Sequence, residues 1–251
     1  MIIVLKEERF LKLLQILQEA EFATVEELSR QLQVSLPTIR RDLSELVNRN
    51  LIIRSHGGAM CIPTEDTVTP MDFRKSINYR VKNKLAQEAS RHIRNHTVIF
   101  IDASTTTAGL SEYLKGRQDL IVITNSLMTA VHLKNLGLRT YCLGGEVIGN
   151  SSAVGGTLAI GVASSFNIDL VFFSSVGIND QGMMVDTSEE ETALRQFLLK
   201  RCTSSFFLCD STKFGRSAAY NIAPLSDVDY VITDAPLPPQ YPSPKKGVLI
   251  P

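Results

Sequence analysis

Ser35-Leu36-Pro37-Thr38-Ile39-Arg40-Arg41-Asp42-Leu43 decides the reading of this chain. Ser35 is a helix-capping residue type. Pro37 follows where first-turn amides have no intrahelical partner, so its missing N–H forfeits nothing. Ile39, Leu43, Leu46 and Val47 recur at helical spacing and predict a buried face. Arg40, Arg41, Ser44 and Asn48 are left on or near the other side. The result is a short amphipathic helix with two adjacent arginines in its first turns.

The flanking sequence gives that helix a context. Phe10, Leu13, Leu14 and Leu17 form one apolar face of an earlier helix. Thr24-Val25-Glu26-Glu27 is a capping box, opening a helix that turns Val25, Leu28 and Leu32 inward. Gln33-Val34 is then a tight turn. A capped helix, a turn and a second capped helix make a helix-turn-helix, whose second helix enters the DNA major groove N-terminal residues first. Asn50 to Gly58 holds a short apolar strand between turn residues and suits a β-wing, with Arg54 and His56 toward backbone phosphates. The candidates to meet DNA are therefore Ser35, Leu36, Thr38, Arg40, Arg41, Arg54 and His56. An Arg can pair bidentately with guanine, worth roughly 1–3 kcal/mol of discrimination. It can equally clamp a phosphate and carry no sequence information. The sequence leaves open which arginine does which. Asp42 is read as the partner of a base rather than as a DNA contact.

Charge and composition set limits on this reading. The chain has 251 residues, with 26 Lys+Arg against 26 Asp+Glu, so net charge does not point to a polyanion. Residues 1–57 carry eight bases and eight acids, but from residue 40 onward four bases face two acids. It is this local clustering that matters for DNA. Cys61, Cys142, Cys202 and Cys209 have no metal-ligand spacing and read as reduced thiols, so neither a metal nor a cofactor is expected. The apolar run Ile2 to Leu5 is too short to span a membrane, and a cytoplasmic protein is expected.

The fold class expected is an N-terminal winged helix-turn-helix (1–58), a linker (59–70) and a C-terminal α/β domain with a mostly parallel sheet (71–251). The linker reading rests on Pro63, Thr64, Asp66 and Thr67. A helix is expected between Phe73 and Arg94, its lysines and arginines on a solvated face. Beyond it, apolar runs at 98–101, 121–123, 139–143, 170–174, 206–208 and 230–232 alternate with helical patterns at 107–114, 127–136 and 188–201. Such alternation means a parallel sheet covered on both faces.

Ligands of such sheets bind outside the carboxyl ends of the strands. Those ends carry Asp102, Ser104, Thr105, Thr106 and Thr107; Thr124 and Asn125; Gly144 and Gly145; Gly177; and Lys213. Hydroxyls and N–H groups at a helix start, with one lysine, suit a small phosphorylated sugar or polyol. No nucleotide-binding glycine fingerprint is present. His92, His96 and His132 lie in helical or turn contexts without a partner pattern and are read as structural or solvated.

At this point the residues resemble a known family. Arg9, Leu13 and Ser35-x-x-Thr38-Ile39-Arg40-Arg41-Asp42-Leu43 resemble the helix-turn-helix signature of DeoR-family transcriptional regulators, and Gly57-Gly58 matches the family's wing exit. The second domain resembles that family's sensor domain, which is similar in fold to ribose-5-phosphate isomerase. Its motifs are Asp102 with Thr105-Thr106-Thr107, Thr124-Asn125-Ser126, Gly144-Gly145 and Asp210-Ser211-Thr212-Lys213-Phe214-Gly215. The resemblance implies a regulator, most often a repressor, of a carbohydrate-metabolism operon. It implies that Asp102 and Lys213 line an effector site that binds a phosphorylated sugar without turning it over. Two departures stand out. Ser104 replaces the usual Gly, and a Ser at positive φ would be strained, implying a different loop backbone or effector. Met183 to Thr187 replaces a Thr-rich segment. The expected partners are a double-stranded DNA operator, the effector and further copies of the chain, as a homodimer or homotetramer. The alternative is an active phosphosugar isomerase, with Asp102, Asp186, Glu189 or Glu191 and Lys213 supplying a base and an electrophile.

Overall fold

The structure, a computed structural model, describes residues 6–20, 22–48, 51–55, 57–61, 78–117, 119–148 and 152–251. The chain divides into two compact units, Met1–Ile77 and Asn78–Pro251.

The first unit contains α1 (Lys6–Ala20), β1 (Phe22–Thr24), α2 (Val25–Leu32), α3 (Leu36–Asn48), β2 (Ile52–Ser55) and β3 (Gly58–Cys61). Its core is the set the periodicity picks out: Phe10, Leu13, Leu14 and Leu17 from α1, Val25 and Leu28 from α2, and Ile39, Leu43 and Leu46 from α3. Thr24 caps α2 reciprocally: its Oγ1 accepts from the Glu27 amide at 3.2 Å, and the Glu27 carboxylate accepts from the Thr24 amide at 2.8 Å. Gln33 ends α2 in the left-handed region (φ 54°), which turns the chain into α3. The wing is larger than the sequence suggests. β1, β3 and β2 form one antiparallel sheet, in that order. Ala59–Cys61, expected to begin the linker, is therefore strand. The ladder satisfies backbone groups that a linker would leave to water. Gly58 is required there, because a Cβ would lie 2.3 Å from the Ala23 carbonyl oxygen.

The second unit runs α4 (Tyr79–Ser90), β4 (Val98–Ile101), α5 (Thr105–Ala108), a 3-10 helix (Gly109–Tyr113), β5 (Ile121–Thr124), α6 (Leu127–Asn135), β6 (Arg139–Cys142), β7 (Glu146–Ile148), β8 (Ala153–Gly155) and α7 (Gly156–Ser164). It continues with β9 (Leu170–Phe173), β10 (Gly177–Ile178), β11 (Met183–Asp186), α8 (Glu189–Leu199), β12 (Ser204–Leu208), β13 (Tyr220–Pro224), β14 (Tyr230–Ile232) and β15 (Gly247–Leu249). Seven strands pair in parallel in the order β15-β14-β12-β9-β4-β5-β6. One face packs α4, the 3-10 helix and α6 through Leu85, Ala89, Leu110 and Leu133. The other packs α7 and α8 through Ala159, Ala163, Leu194 and Leu198. β10, β11 and β13 form a separate antiparallel sheet, and β7–β8 a hairpin.

One further expectation needs correction. The helix expected at 107–114 starts at Thr105 and tightens into a 3-10 helix at Gly109. Ser104 has φ −75° and ψ 150°, ordinary extended backbone, so it carries no strain. It acts as a cap, accepting from the Thr107 amide at 3.2 Å. The loop thus needs no glycine, and Ser adds a hydroxyl that a glycine would lack.

Candidate functional site

In the first unit, α3 buries Ile39, Asp42, Leu43 and Leu46 and exposes Ser35, Leu36, Arg40, Arg41, Ser44 and Asn48, with Thr38 half-buried. The Ser35 and Thr38 hydroxyls hydrogen-bond at 2.9 Å across the helix start. Arg54 on β2 is exposed and donates to Ser44 Oγ at 3.2 Å, which brings the wing cation beside the helix. Ser44 Oγ in turn donates to the Arg40 carbonyl one turn earlier, at 2.8 Å. Arg40, Ser44 and Arg54 are thereby tied into one basic ridge. His56 lies outside the described residues. Asp42 is paired, as expected of it, and its partner is Arg9 on α1. Arg9 Nη2 donates to Asp42 Oδ1 at 3.1 Å, and Nε donates to Oδ2. Asp42 is 1% exposed, so this fork fixes the exposed helix to the rest of the unit. The hydrogen bond to Asp42 foremost holds the Arg9 pKa above its ordinary value.

In the second unit the strand ends carry a polar cluster. Asp102, at the end of β4, is 1% exposed and fully engaged. Its Oδ1 accepts from the Ser104 amide at 3.1 Å and from the Thr107 hydroxyl at 2.6 Å. Its Oδ2 accepts from the Ser174 amide at 3.0 Å and from Arg195 Nη2 at 3.0 Å. Arg195 also bonds Asp186 at 2.8 Å and Glu191 at 3.2 Å. Burial works against the charge of Arg195, but the fields of Asp186, Glu191 and Asp102 outweigh it, and its pKa lies above the ordinary value. Asp186 is held in addition by the Thr187 and Ser188 amides.

Two lysines converge on this edge. Lys213 Nζ donates to Ser174 Oγ at 2.9 Å and to the Ser175 carbonyl at 2.7 Å. Lys82, from α4, is 8% exposed and donates to Thr105 Oγ1 at 3.0 Å. Asn78 Nδ2 links the start of α4 to Asp210 Oδ1 at 3.2 Å and to Thr212 Oγ1 at 3.3 Å. Thr124 Oγ1 accepts from the Ser126 amide at 3.0 Å and so shapes its turn. Thr106 Oγ1 and Asn125 Oδ1 are buried without a hydrogen-bond partner among the described residues. Buried polar atoms are usually satisfied, so these two are unused hydrogen-bonding capacity at the strand ends, as are Thr192 Oγ1 and Thr233 Oγ1 in the same unit.

The glycines have packing reasons. Gly145 has φ 126°, and a Cβ there would lie 2.2 Å from the Gly155 carbonyl oxygen, so it admits the β7–β8 hairpin. A Cβ on Gly177 would lie 2.7 Å from the Lys213 carbonyl oxygen, so Gly177 lets the lysine loop approach. Gly144 has open space around its Cβ position. A hollow of about 280 Å³ lined by Phe166, Asn167, Ile168, Asp169, Arg201 and Thr203 sits at the amino ends of β9 and β12, opposite the cluster. Its charged side chains are one exposed cation and Asp169, which is spent on the Val98 amide, so it lacks the cluster's convergence.

Sequence reasoning missed Lys82, Arg195 and Ser174 as parts of the cluster. The signal for the first two was present. Lys82 shares a helical stripe with Leu85, Ala86 and Ala89, and Arg195 shares one with Leu198, so both point inward.

A helix-turn-helix with an exposed arginine ridge, carried on a chain with an α/β unit whose polar residues gather at the strand ends, defines a DNA-binding regulator with a sensor domain. The comparisons place it within one family. Residues 9–65 match the DeoR-like helix-turn-helix domain, and residues 77–235 match the DeoR C-terminal sensor domain. The chain belongs to the DeoR family of transcriptional regulators. Its relatives include the HTH-type transcriptional regulator GolR of Listeria innocua, 36% identical over 90% of both chains. The glycerol-3-phosphate regulon repressor of Escherichia coli is 31% identical over 90% of both. The HTH-type transcriptional repressor GlcR of Bacillus subtilis is 31% identical over 91% of this chain and 88% of its own length. A ribose-5-phosphate isomerase in complex with phospho-erythronic acid overlaps 54% of each chain at 16% identity and a TM-score of 0.41, too slight a likeness to carry the fold further. Among the described residues no helix is long and apolar enough to cross a membrane.

Proposed function

We propose that this chain represses a carbohydrate-metabolism operon and that a phosphorylated sugar or polyol, bound at the strand-end cluster, changes its hold on DNA. The observation that carries the effector reading is the pairing of two inward-turned cations, Lys82 and Lys213, with the unpartnered Asn125 Oδ1 and Thr106 Oγ1 at one sheet edge. The cations suit a phosphate, and an unsatisfied amide oxygen suits a hydroxyl donor. Ser104, Thr105, Thr107, Thr124 and Asp102 then shape the site. The four-residue α5 lends little helix dipole, and the Thr107 amide is already capped by Ser104, so the lysines carry the charge. The Escherichia coli relative, named for glycerol-3-phosphate, supports a phosphorylated polyol.

The reading is of a binding protein rather than an isomerase. Asp102 and Asp186 accept from Arg195 and from backbone amides, and so are occupied acceptors rather than free bases. Effector binding acts by preferring one of two arrangements of paired DNA-reading units, as a homodimer or homotetramer on matched half-sites. The test is operator binding at fixed salt with and without a panel of sugar and polyol phosphates. At least one is expected to change affinity; no change with any member ends the effector reading. Arg40→Ala and Arg41→Ala are each expected to abolish specific binding while leaving the melting transition in place. Retained operator affinity in both would end the assignment of α3 as the reading helix.

A further inference from the structure

We infer that Leu36 reads the C5-methyl group of a thymine, so that each operator half-site contains a T recognised by an apolar rather than a hydrogen-bonded contact. The inference rests on the proposal that α3 enters the major groove. Leu36 is the first residue of α3 and is 36% exposed. It takes no part in the core of its unit, which α3 supplies from Ile39, Leu43, Leu46 and Val47. A lone exposed leucine is ordinary on a protein surface. This one occupies a particular place. Leu36, Arg40 and Ser44 are spaced i, i+4 and i+8, so they follow one ridge of the helix. Ser44 is the residue to which the wing's Arg54 donates. Leu36 is therefore the leading, apolar end of a ridge whose other members are cationic or hydroxylated.

The chemistry of the groove fits that order. A·T pairs display the thymine methyl in the major groove as its apolar feature, and apolar side chains contact it. The N-terminal residues of a recognition helix approach base edges most closely. Pro37 follows directly and fixes its own φ, which limits the freedom of the first turn. Arg40 lies one turn further on, within reach of the adjoining base edge or phosphate. The cationic part of the ridge holds the polyanion, and Leu36 adds discrimination that charge cannot supply. Removing one methyl from such a contact is expected to weaken binding about fourfold, the equivalent of one buried CH₂ group.

The experiment uses the full-length protein. Binding sites are selected from random-sequence duplex DNA, and each thymine of the selected half-site is replaced in turn by deoxyuridine, which lacks only the methyl. Wild type is expected to lose about fourfold at one position per half-site. Leu36→Ala is expected to bind the all-thymine site about fourfold more weakly and to be indifferent to deoxyuridine at that position, with an unchanged melting temperature. If no position is sensitive in wild type, or if the sensitivity survives in Leu36→Ala, the inference is overturned while the DNA-binding reading stands. If selection returns no preferred sequence, sequence-specific reading fails and takes this inference with it.

Discussion

Replacing Arg195 with Met tests how the sensor unit holds its strand ends together. Arg195 has a side chain 5% exposed and meets Asp102 at 3.0 Å, Asp186 at 2.8 Å and Glu191 at 3.2 Å. Methionine fills similar length without charge, so the packing loss is small and three carboxylates lose their shared cation. Removing one partner of a buried pair costs about 3–5 kcal/mol. Asp102 keeps its Ser104, Ser174 and Thr107 donors, and Asp186 keeps two amides, which holds the loss within that range rather than multiplying it by three. For a unit of this size about 2–4 °C is lost per kcal/mol, so the melting temperature is expected to fall by about 6–20 °C. Calorimetry of both proteins should show that deficit. A melting temperature within 2 °C of wild type would refute the reasoning.

Arg9 and Asp42 should behave as a coupled pair. Urea unfolding of Arg9→Ala, Asp42→Ala and the double variant should give a coupling energy of about 1–3 kcal/mol, and simple additivity would contradict the fork between α1 and α3. Lys82→Ala and Lys213→Ala should each leave operator affinity unchanged and weaken the effector response at least tenfold by titration; an unaltered response in both removes the lysines from the site. The thiols should separate by reactivity. Burial above all pushes Cys209 up to about 12, whereas Cys142 is exposed and only raised. Maleimide at pH 8 followed by mass spectrometry should modify Cys142 in the native protein and Cys209 only after unfolding. Equal rates would show that the strand end at Cys209 opens readily.

Much of the architecture was written as apolar periodicity. The six runs beginning with Val98–Ile101 and ending with Tyr230–Ile232 all fall in the parallel sheet. Five are inner strands, which are apolar because both faces are covered, whereas β6 is an edge strand with Arg139 and Cys142 exposed. β15 was not legible, since Gly247-Val248-Leu249 offers two apolar residues beside a glycine. α7 escaped for the opposite reason: Gly156–Ser164 has no charged residue and so no polar face to set a helical period. The small sheet of β10, β11 and β13 is a tertiary arrangement that no local pattern records. In the sensor cluster, the strand ends located Asp102, Asn125 and Lys213. They could not show that Asp102 is held by Arg195 from a helix 93 residues away. Nor could they reveal that Lys82, read as a solvated side chain, lies inward beside Thr105.

The strand order has a consequence for how the protein is made. β4, β5 and β6 are consecutive along the chain and can pair as soon as they are synthesised. The other edge of β4 is taken by β9, whose Leu170 lies opposite Ile99. About 70 residues separate those two strands, a delay of roughly 4–14 s at typical elongation rates. During that interval Val98-Ile99-Phe100-Ile101 presents an apolar strand with one unpaired edge, the kind of template on which neighbouring nascent chains associate. Expression yield is therefore expected to depend more on chaperone supply and growth temperature during synthesis than on the stability of the finished fold.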